Sequence, residues 1–133
     1  MEVKGILHIN IESSDLEKTV NFYTSNFGFK QTFETKLGDM DVVFLDAGNC
    51  IIEIFHRLGV EKRSRTAAVI DHFAIEITDI EAFIAKLRTN NVTILQDATA
   101  MIVDAPIKMA FIEGPDGERI ELFEYLHQPV NTL

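Results

Sequence analysis

The chain contains little of what several classes of protein require. Its 133 residues include a single cysteine, Cys50, which excludes an internal disulfide and any metal site built from several cysteines. Only 12 lysines and arginines stand against 21 aspartates and glutamates, so the basic face that nucleic-acid binding needs is not expected. No apolar run approaches the roughly 20 residues of a membrane span, and the first residues lack a signal-peptide pattern. We therefore expect a cytoplasmic protein without nucleic-acid or membrane partners, in which Cys50 is a small buried side chain.

Two stretches of the chain read almost alike: HINIESSDLE, which begins at His8, and HFAIEITDIE, which begins at His72. In each stretch apolar and polar residues alternate, which predicts a strand. A helix-start signal with the spacing of a capping box then follows. Its members are Ser14 with Glu17 and Thr78 with Glu81. A repeat of this kind predicts that the chain is built from two similar halves.

Each predicted strand is followed by an amphipathic helix and then by three short strand patterns. The helix stripes are Leu16, Val20, Tyr23 and Phe27, stopped by Gly28, and Ile80, Phe83, Ile84 and Leu87, ending near Asn90. The strand patterns cover 30–35, 41–46 and 50–56, then 92–96, 107–113 and 119–125. This order predicts an α+β chain of two β-α-β-β-β modules in one domain. Its predicted parts are module one at 1–57, a linker at 58–67, module two at 68–127 and a C-terminal tail at 128–133.

Four polar residues interrupt strands that are otherwise apolar: His8, Glu53, His72 and Glu121. Taken singly, each could be a core residue whose polar atoms are hydrogen-bonded, or could face solvent. The repeat makes His8 equivalent to His72 and Glu53 equivalent to Glu121, so a pseudo-twofold axis would bring one pair from each half together. An ionised carboxylate in an apolar strand is costly unless it is paired or bound to a cation. Two imidazoles and two carboxylates converging on one point predict a site for a divalent metal ion.

The segment from 57 to 65 is rich in basic residues and joins the two halves. Lys62, Arg63 and Arg65 are typical of a solvated linker. Arg57 differs from them because it follows Glu53 by only four residues. If the strand directs Glu53 into a site, Arg57 lies at the mouth of that site and is a candidate substrate-binding residue.

The strand that opens on His8, the helix with NFYTSNFGF, the closing GPDGERIELFE and the duplicated β-α-β-β-β order resemble one family over essentially the whole chain. This is the vicinal oxygen chelate superfamily, which includes glyoxalases, bleomycin resistance proteins and extradiol dioxygenases. Within it the chain is most similar to the small glyoxalase I enzymes. The resemblance implies the vicinal oxygen chelate fold, in which two βαβββ modules form a pseudo-twofold, open-barrel sheet. It also implies His8, Glu53, His72 and Glu121 as the metal ligands.

The resemblance further implies a reaction. The metal leaves two positions for neighbouring substrate oxygens and stabilises the enediolate that forms when a proton leaves the carbon beside a carbonyl. Glu121 would take that proton and return it at the adjacent carbon, with Glu53 as its partner across the metal. For glyoxalase I the substrate is the hemithioacetal of methylglyoxal and glutathione, and the product is S-lactoylglutathione. One divalent ion per site is expected, and the ligand set admits Ni, Co, Zn, Fe or Mn.

One residue departs from the pattern of glutathione-using members, which typically carry an arginine four residues after the first metal histidine. This chain has Glu12 there. His8, Asn10 and Glu12 share one strand face, so Glu12 would point into the cavity as a substrate-binding residue and repel a glutathione carboxylate. A solvated Glu12 at the strand end is the alternative. The sequence therefore does not identify the thiol that forms part of the substrate.

Several alternatives within the superfamily remain. An epimerase, an antibiotic thiol transferase or a dioxygenase would keep the fold with different chemistry, and a drug-binding resistance protein would keep it without metal ligands. Glu53 as a fourth ligand favours a glyoxalase or an epimerase. The resemblance also implies a homodimer with sites at the interface. Whether one chain or two chains supply each site is left undecided.

Overall fold

The computed structural model describes residues 1, 4, 6–59, 70, 72–101 and 106–126. The first half contains β1 (His8–Ser13), α1 (Leu16–Phe27), β2 (Lys30–Leu37), β3 (Met40–Asp46) and β4 (Ile51–Arg57). The second half contains β5 (Phe73–Glu76), α2 (Ile80–Thr89), β6 (Thr93–Met101), β7 (Ile107–Glu113) and β8 (Arg119–Tyr125). The predicted β-α-β-β-β order of both halves is confirmed. Most of the predicted linker, with Lys62, Arg63 and Arg65, and the predicted C-terminal tail lie outside the described residues.

The chain divides into two compact units, Met1–Ser64 and Arg65–Leu133. The first unit holds a four-stranded sheet in the order β1-β4-β3-β2, and the second holds one in the order β5-β8-β7-β6. In each sheet the first and last strands of the module lie side by side and run parallel, and the remaining pairs are antiparallel. The chain is therefore α+β as predicted, and the strand pairings of the described residues close no barrel. No helix within the described ranges is long and apolar enough to cross a membrane.

In the first unit, α1 packs against β4 and covers the apolar face of the sheet. Ile52 and Ile54 of β4 are buried on that face, because alternate residues of a strand point to the same side. From the helix, Tyr23 is fully buried. The other members of the predicted stripe, Leu16, Val20 and Phe27, are only partly buried, and the small polar residues Thr19 and Asn26 complete the buried face instead.

In the second unit, α2 packs against β6, β7 and β8. Its predicted stripe is largely confirmed, because Ile80, Ile84 and Leu87 are buried. They lie on the same side of the unit as Ile120 and Leu122, the buried alternate residues of β8. This packing leaves the opposite face of β8, which carries Glu121, away from the helix.

The predicted start of α1 is one residue too early. The N-cap is Asp15, whose side chain accepts a hydrogen bond from the backbone N–H of Lys18. The proposed capping box of Ser14 and Glu17 is therefore wrong. Aspartate is the stronger cap here because its carboxylate also interacts favourably with the positive end of the helix dipole.

The start of α2 departs from the prediction in the same way. Asp79, and not Thr78, is the N-cap and accepts a hydrogen bond from the N–H of Ala82, so the predicted box with Glu81 is wrong. Asp79 has a positive φ of 54°, in the left-handed region. Glu124 of β8 accepts hydrogen bonds from the N–H groups of Asp79 and Ile80, which ties the helix start to the strand.

The helix ends agree with the sequence. Gly28 follows α1 with a φ of 70°, and its N–H donates to the carbonyl of Thr24, which is the usual role of a glycine C-cap. Asn90 caps the end of α2. Cys50 is partly exposed, so the prediction of a buried cysteine is wrong. It immediately precedes β4, with its Sγ 3.8 Å from the carbonyl oxygen of Leu7.

The two aspartate caps should differ in how much they stabilise the protein. We expect Asp15→Ala to lower the free energy of unfolding by about 1 kcal/mol, the typical loss of an N-cap. Asp79→Ala should cost roughly 1 kcal/mol more, because alanine tolerates the left-handed backbone poorly. Urea denaturation of the two variants measures the difference. Asp79→Gly is the control: it relieves the backbone term and is itself an acceptable N-cap, so it should cost no more than Asp15→Ala. Equal losses for both alanine variants would contradict this explanation.

Candidate metal centre

The parallel pairing of β1 and β4 brings His8 and Glu53 together. In the strand register Asn10 lies directly opposite Glu53, so His8 is the diagonal neighbour of the carboxylate on the same face. His8 Nε2 lies 3.3 Å from Glu53 Oε1. The histidine side chain is 38% exposed and the glutamate side chain only 13%. The first predicted pair is therefore a partly buried imidazole and carboxylate in direct contact.

Asn10 also contacts Glu53, and the sequence prediction assigned it no role. Its Nδ2 donates to Glu53 Oε1 at 3.1 Å and makes a longer contact of 3.4 Å to the backbone carbonyl of the same residue. His8 and Asn10 thus reach the same carboxylate oxygen. The signal in the sequence was its position, because Asn10 is two residues after His8 and so shares its strand face.

The second half repeats the arrangement with His72 and Glu121. His72 immediately precedes β5, and Ala74 lies directly opposite Glu121 in the register of β5 and β8. His72 Nε2 is 3.2 Å from Glu121 Oε2. The exposed fractions, 33% and 12%, almost match those of the first pair. The two predicted pairs are therefore built in the same way within their own units.

The spacing within each pair fits two ligands of one metal ion. Ligand atoms that each lie about 2.1 Å from an ion are about 3.0 Å apart at a right angle and about 3.4 Å apart at the tetrahedral angle. The observed separations of 3.3 and 3.2 Å fall in that interval. Imidazole nitrogen and carboxylate oxygen together suit divalent ions such as Zn, Ni, Co, Fe and Mn. In the part of the chain that the structure describes, no group of three or more His, Cys, Asp or Glu side chains could hold a metal.

Glu12 and Arg57 are paired with each other. Arg57 Nη1 lies 3.9 Å from Glu12 Oε1, and its Nε lies 4.0 Å from Asp39 Oδ1. Arg57 ends β4 and alternates with Glu53 along that strand, so both face the same side of the sheet. The two predicted substrate-binding residues therefore lie on the face of the His8 and Glu53 pair. Their charges partly offset each other there.

Apolar side chains continue this face of the first sheet. Phe44 lies opposite Glu53 in the register, and Phe33 lies next to Phe44 with ring centroids 5.3 Å apart. Phe55 of β4 is on the same side. These rings form an apolar wall beside the carboxylate, which favours the binding of the carbon skeleton of a small molecule and limits the approach of water.

Phe111 has the equivalent position in the second unit, opposite Glu121. The ring of His72 meets it edge-on at 5.2 Å, and the guanidinium carbon of Arg119 lies 4.0 Å from its centroid. Neither Phe111 nor Arg119 had been assigned a site role from the sequence. Contact with the aromatic ring restricts the orientation of the His72 imidazole.

Comparison with known proteins identifies the family of the chain. The family model described as Glyoxalase/Bleomycin resistance protein/Dioxygenase superfamily matches residues 5–122. The lactoylglutathione lyase of Escherichia coli O157:H7 is 28% identical over 130 residues, which cover 90% of this chain and 91% of that protein. Among solved structures, the trypanothione-dependent glyoxalase I of Leishmania major has a TM-score of 0.77 and 26% identity, covering 92% of this chain and 87% of the other.

A glyoxalase family protein from Enterococcus faecalis is also similar in structure. It has a TM-score of 0.74 and 28% identity, with 91% of this chain and 98% of the other covered. The family match extends over nearly the whole chain and includes all four predicted ligands. By this match, and by the two β-α-β-β-β modules that it spans, the chain belongs to the glyoxalase/bleomycin resistance protein/dioxygenase superfamily.

Proposed function

We propose that this protein is a metal-dependent lyase or isomerase of the glyoxalase I type. The observation that carries the proposal is the repeated contact between an imidazole and a carboxylate, 3.3 Å in one unit and 3.2 Å in the other. Relatives named lactoylglutathione lyase, aligned over nine tenths of the chain, support it. The reaction class is the transfer of a proton between two carbons, one of them beside a carbonyl.

His8, Glu53, His72 and Glu121 would hold one divalent ion, Ni, Co, Zn, Fe or Mn, with two carboxylates to neutralise its charge. The two pairs would be combined either within one chain or by exchange between two chains of a homodimer. When bound, the metal would supply positive charge that stabilises the negative charge developing on two neighbouring substrate oxygens. A homodimer in the cytoplasm, acting on a small molecule, is part of the same proposal.

The carboxylates would divide the remaining work. Glu121 would take the proton from the substrate carbon and return it at the adjacent carbon, and Glu53 would act as its partner. Their exposed fractions, 12% and 13%, keep both carboxylates largely away from water. A proton held by such a group is exchanged slowly with solvent, so it can be returned to the substrate.

The thiol of the substrate would be selected near Glu12 and Arg57. A methylglyoxal adduct of glutathione is the first candidate, but Glu12 would repel its carboxylates. Arg57, 3.9 Å from Glu12, offsets part of that charge and could itself bind a carboxylate. The site is therefore proposed to bind the hemithioacetal of methylglyoxal and a thiol. Turnover of the adducts of glutathione and of other low-molecular-weight thiols can be compared directly.

Metal binding should depend on His8 but not on another histidine of the same sheet. We expect His8→Ala to weaken the binding of Ni²⁺ or Zn²⁺ to the chelator-treated protein by at least roughly 100-fold, more than the loss of an outer-shell partner. His56→Ala is the matched control, because Nδ1 of His56 lies 3.0 Å from the carbonyl of Ser13 on the other face of the sheet. Isothermal titration calorimetry measures both affinities. Equal affinities for the two variants would remove His8 from the ligand set.

Replacing the Glu121 carboxylate should reduce turnover more than it reduces the affinity for the metal. We expect Glu121→Gln to lower kcat for the methylglyoxal–glutathione hemithioacetal by roughly 10²- to 10⁴-fold, the usual contribution of a general base. Substrate should still bind, since the variant keeps the size of the side chain. Glu17→Gln, which changes an exposed carboxylate in the first turn of α1, is the control and should retain full activity. Unchanged formation of S-lactoylglutathione by Glu121→Gln would overturn the assignment of the base.

Glu12 should set the preference among thiols. Replacing it by glutamine removes a like charge from the path of a glutathione carboxylate and leaves Asp39 as the carboxylate neighbour of Arg57. The KM for the glutathione adduct should therefore fall about fivefold, equivalent to about 1 kcal/mol. Arg57→Ala should raise the same KM. Steady-state kinetics with adducts of glutathione and of an uncharged thiol give KM for both substrates. A change in KM for the glutathione adduct alone is an effect of charge, whereas a change for both is an effect of side-chain shape. A rise in KM for Glu12→Gln would show that Glu12 assists binding instead.

A further inference from the structure

The two halves differ at the residue that faces the metal-site carboxylate across the strands. Asn10 lies directly opposite Glu53, and Ala74 lies directly opposite Glu121. Each of them is two residues after the histidine of its own pair. The carboxylates are otherwise alike, with 13% and 12% of their side chains exposed and a histidine nitrogen at 3.3 and 3.2 Å. The amide of one residue and the methyl of the other are therefore a clear difference at the position directly opposite each carboxylate.

Asn10 holds Glu53 at two points. Its Nδ2 reaches Oε1 of the carboxylate at 3.1 Å and the backbone carbonyl of the same residue at 3.4 Å. The carboxylate is thereby restrained relative to its own main chain. Because His8 and Asn10 both contact Oε1, rotation of the carboxylate about its terminal bond would break two contacts at once. Oε1, the oxygen that lies 3.3 Å from His8 Nε2, is thereby held beside the imidazole in the position expected of a metal ligand.

Glu121 does not have this restraint, because the methyl group of Ala74 has no donor to offer. Its contact with His72 Nε2 orients one oxygen, and among the described residues no amide at the opposite position hinders the carboxylate from turning about that contact. A group that carries a proton from one carbon to its neighbour must move between them, and a group that serves only as a ligand must not. The two carboxylates therefore have surroundings suited to different tasks.

We propose that Asn10 is a positioning residue that fixes Glu53 as the stationary ligand, while Ala74 leaves Glu121 mobile enough to carry the proton. This proposal rests on the proposed function, since it divides the roles of two carboxylates in that site. Asn10 is exposed and the backbone ladder of β1 and β4 does not depend on it. Its effect on metal binding can therefore be measured in a folded protein.

Reciprocal variants of the full chain test the proposal. Asn10→Ala makes the first half resemble the second, and Ala74→Asn adds the amide beside Glu121. Co²⁺ is the probe, since its visible absorption reports ligand geometry and titration into chelator-treated protein gives a Kd. For Asn10→Ala we expect Co²⁺ binding to weaken about tenfold, the lower end of the range for outer-shell partners, with a changed spectrum. Asn10→Leu keeps nearly the same size but has no donor and no charge, and it should behave like Asn10→Ala.

Ala74→Asn should act on turnover instead of binding. An amide that restrains Glu121 should lower kcat about tenfold or more, the factor expected for one hydrogen bond to a charged group. KM should stay unchanged, and Co²⁺ should bind as tightly as before or more tightly. A merely structural role for Asn10 does not predict this split between kcat and KM in a variant of the other half. Thermal unfolding of each variant confirms that it is folded.

The outcomes separate this proposal from the proposed function. If the native chain turns over a thiol hemithioacetal, and Asn10→Ala keeps its Co²⁺ affinity and spectrum, the role of Asn10 is overturned and the function stands. If the native chain binds Co²⁺ but turns over no such substrate, the proposed function is overturned, and a weakened Kd for Asn10→Ala still supports the restraint of Glu53. A native chain that binds no Co²⁺ overturns both.

Discussion

The parallel pairing of the first and last strands of each module is the constraint on which the candidate site depends. It brings Asn10 within hydrogen-bonding distance of Glu53, 43 residues away in the chain, and places Ala74 opposite Glu121 in the same manner. Because side chains alternate along a strand, a shift of one residue in this register would turn each glutamate toward the helix-covered side. The imidazole and carboxylate contacts exist only in the observed register.

Hydrophobic burial on the other side of each sheet holds that register in place. Ile52 and Ile54 flank Glu53 and are buried beneath α1, and Ile120 and Leu122 flank Glu121 in the same way. Fully burying one such side chain is worth about 1.5 to 3 kcal/mol, so a slipped strand would lose several of these contributions together. The packing that stabilises each unit thus also directs one carboxylate to the open face. A carboxylate only an eighth exposed needs a partner there, and the nearby histidine supplies it.

Duplication accounts for the histidine and glutamate that both halves share, and divergence accounts for the differences between the halves. The histidine and the glutamate are shared by both units, but their neighbours are not: Asn10 corresponds to Ala74. Likewise, Arg57 corresponds to Tyr125, the residue four positions after Glu121. The first unit therefore gains an amide that holds its carboxylate and a cation that pairs with Glu12. The four candidate ligands are therefore symmetric in type, but their surroundings differ between the two units.

The sequence by itself determined the order of the elements and the identity of the four candidate ligands. The residue alternation of a strand and the three- and four-residue spacing of a helix are both local patterns in the sequence. A polar residue within an apolar strand can be recognised from its sequence neighbours alone, which is why His8 and Glu53 were identified. The helix caps were misplaced by one residue because Ser14 and Asp15 are both good caps, and only the path of the chain out of β1 chooses between them. The tertiary structure alone decided that Asn10 reaches Glu53 and that Arg57 pairs with Glu12. Both contacts depend on the register between strands far apart in the chain, and that register follows from the burial of a whole face, which no local pattern specifies.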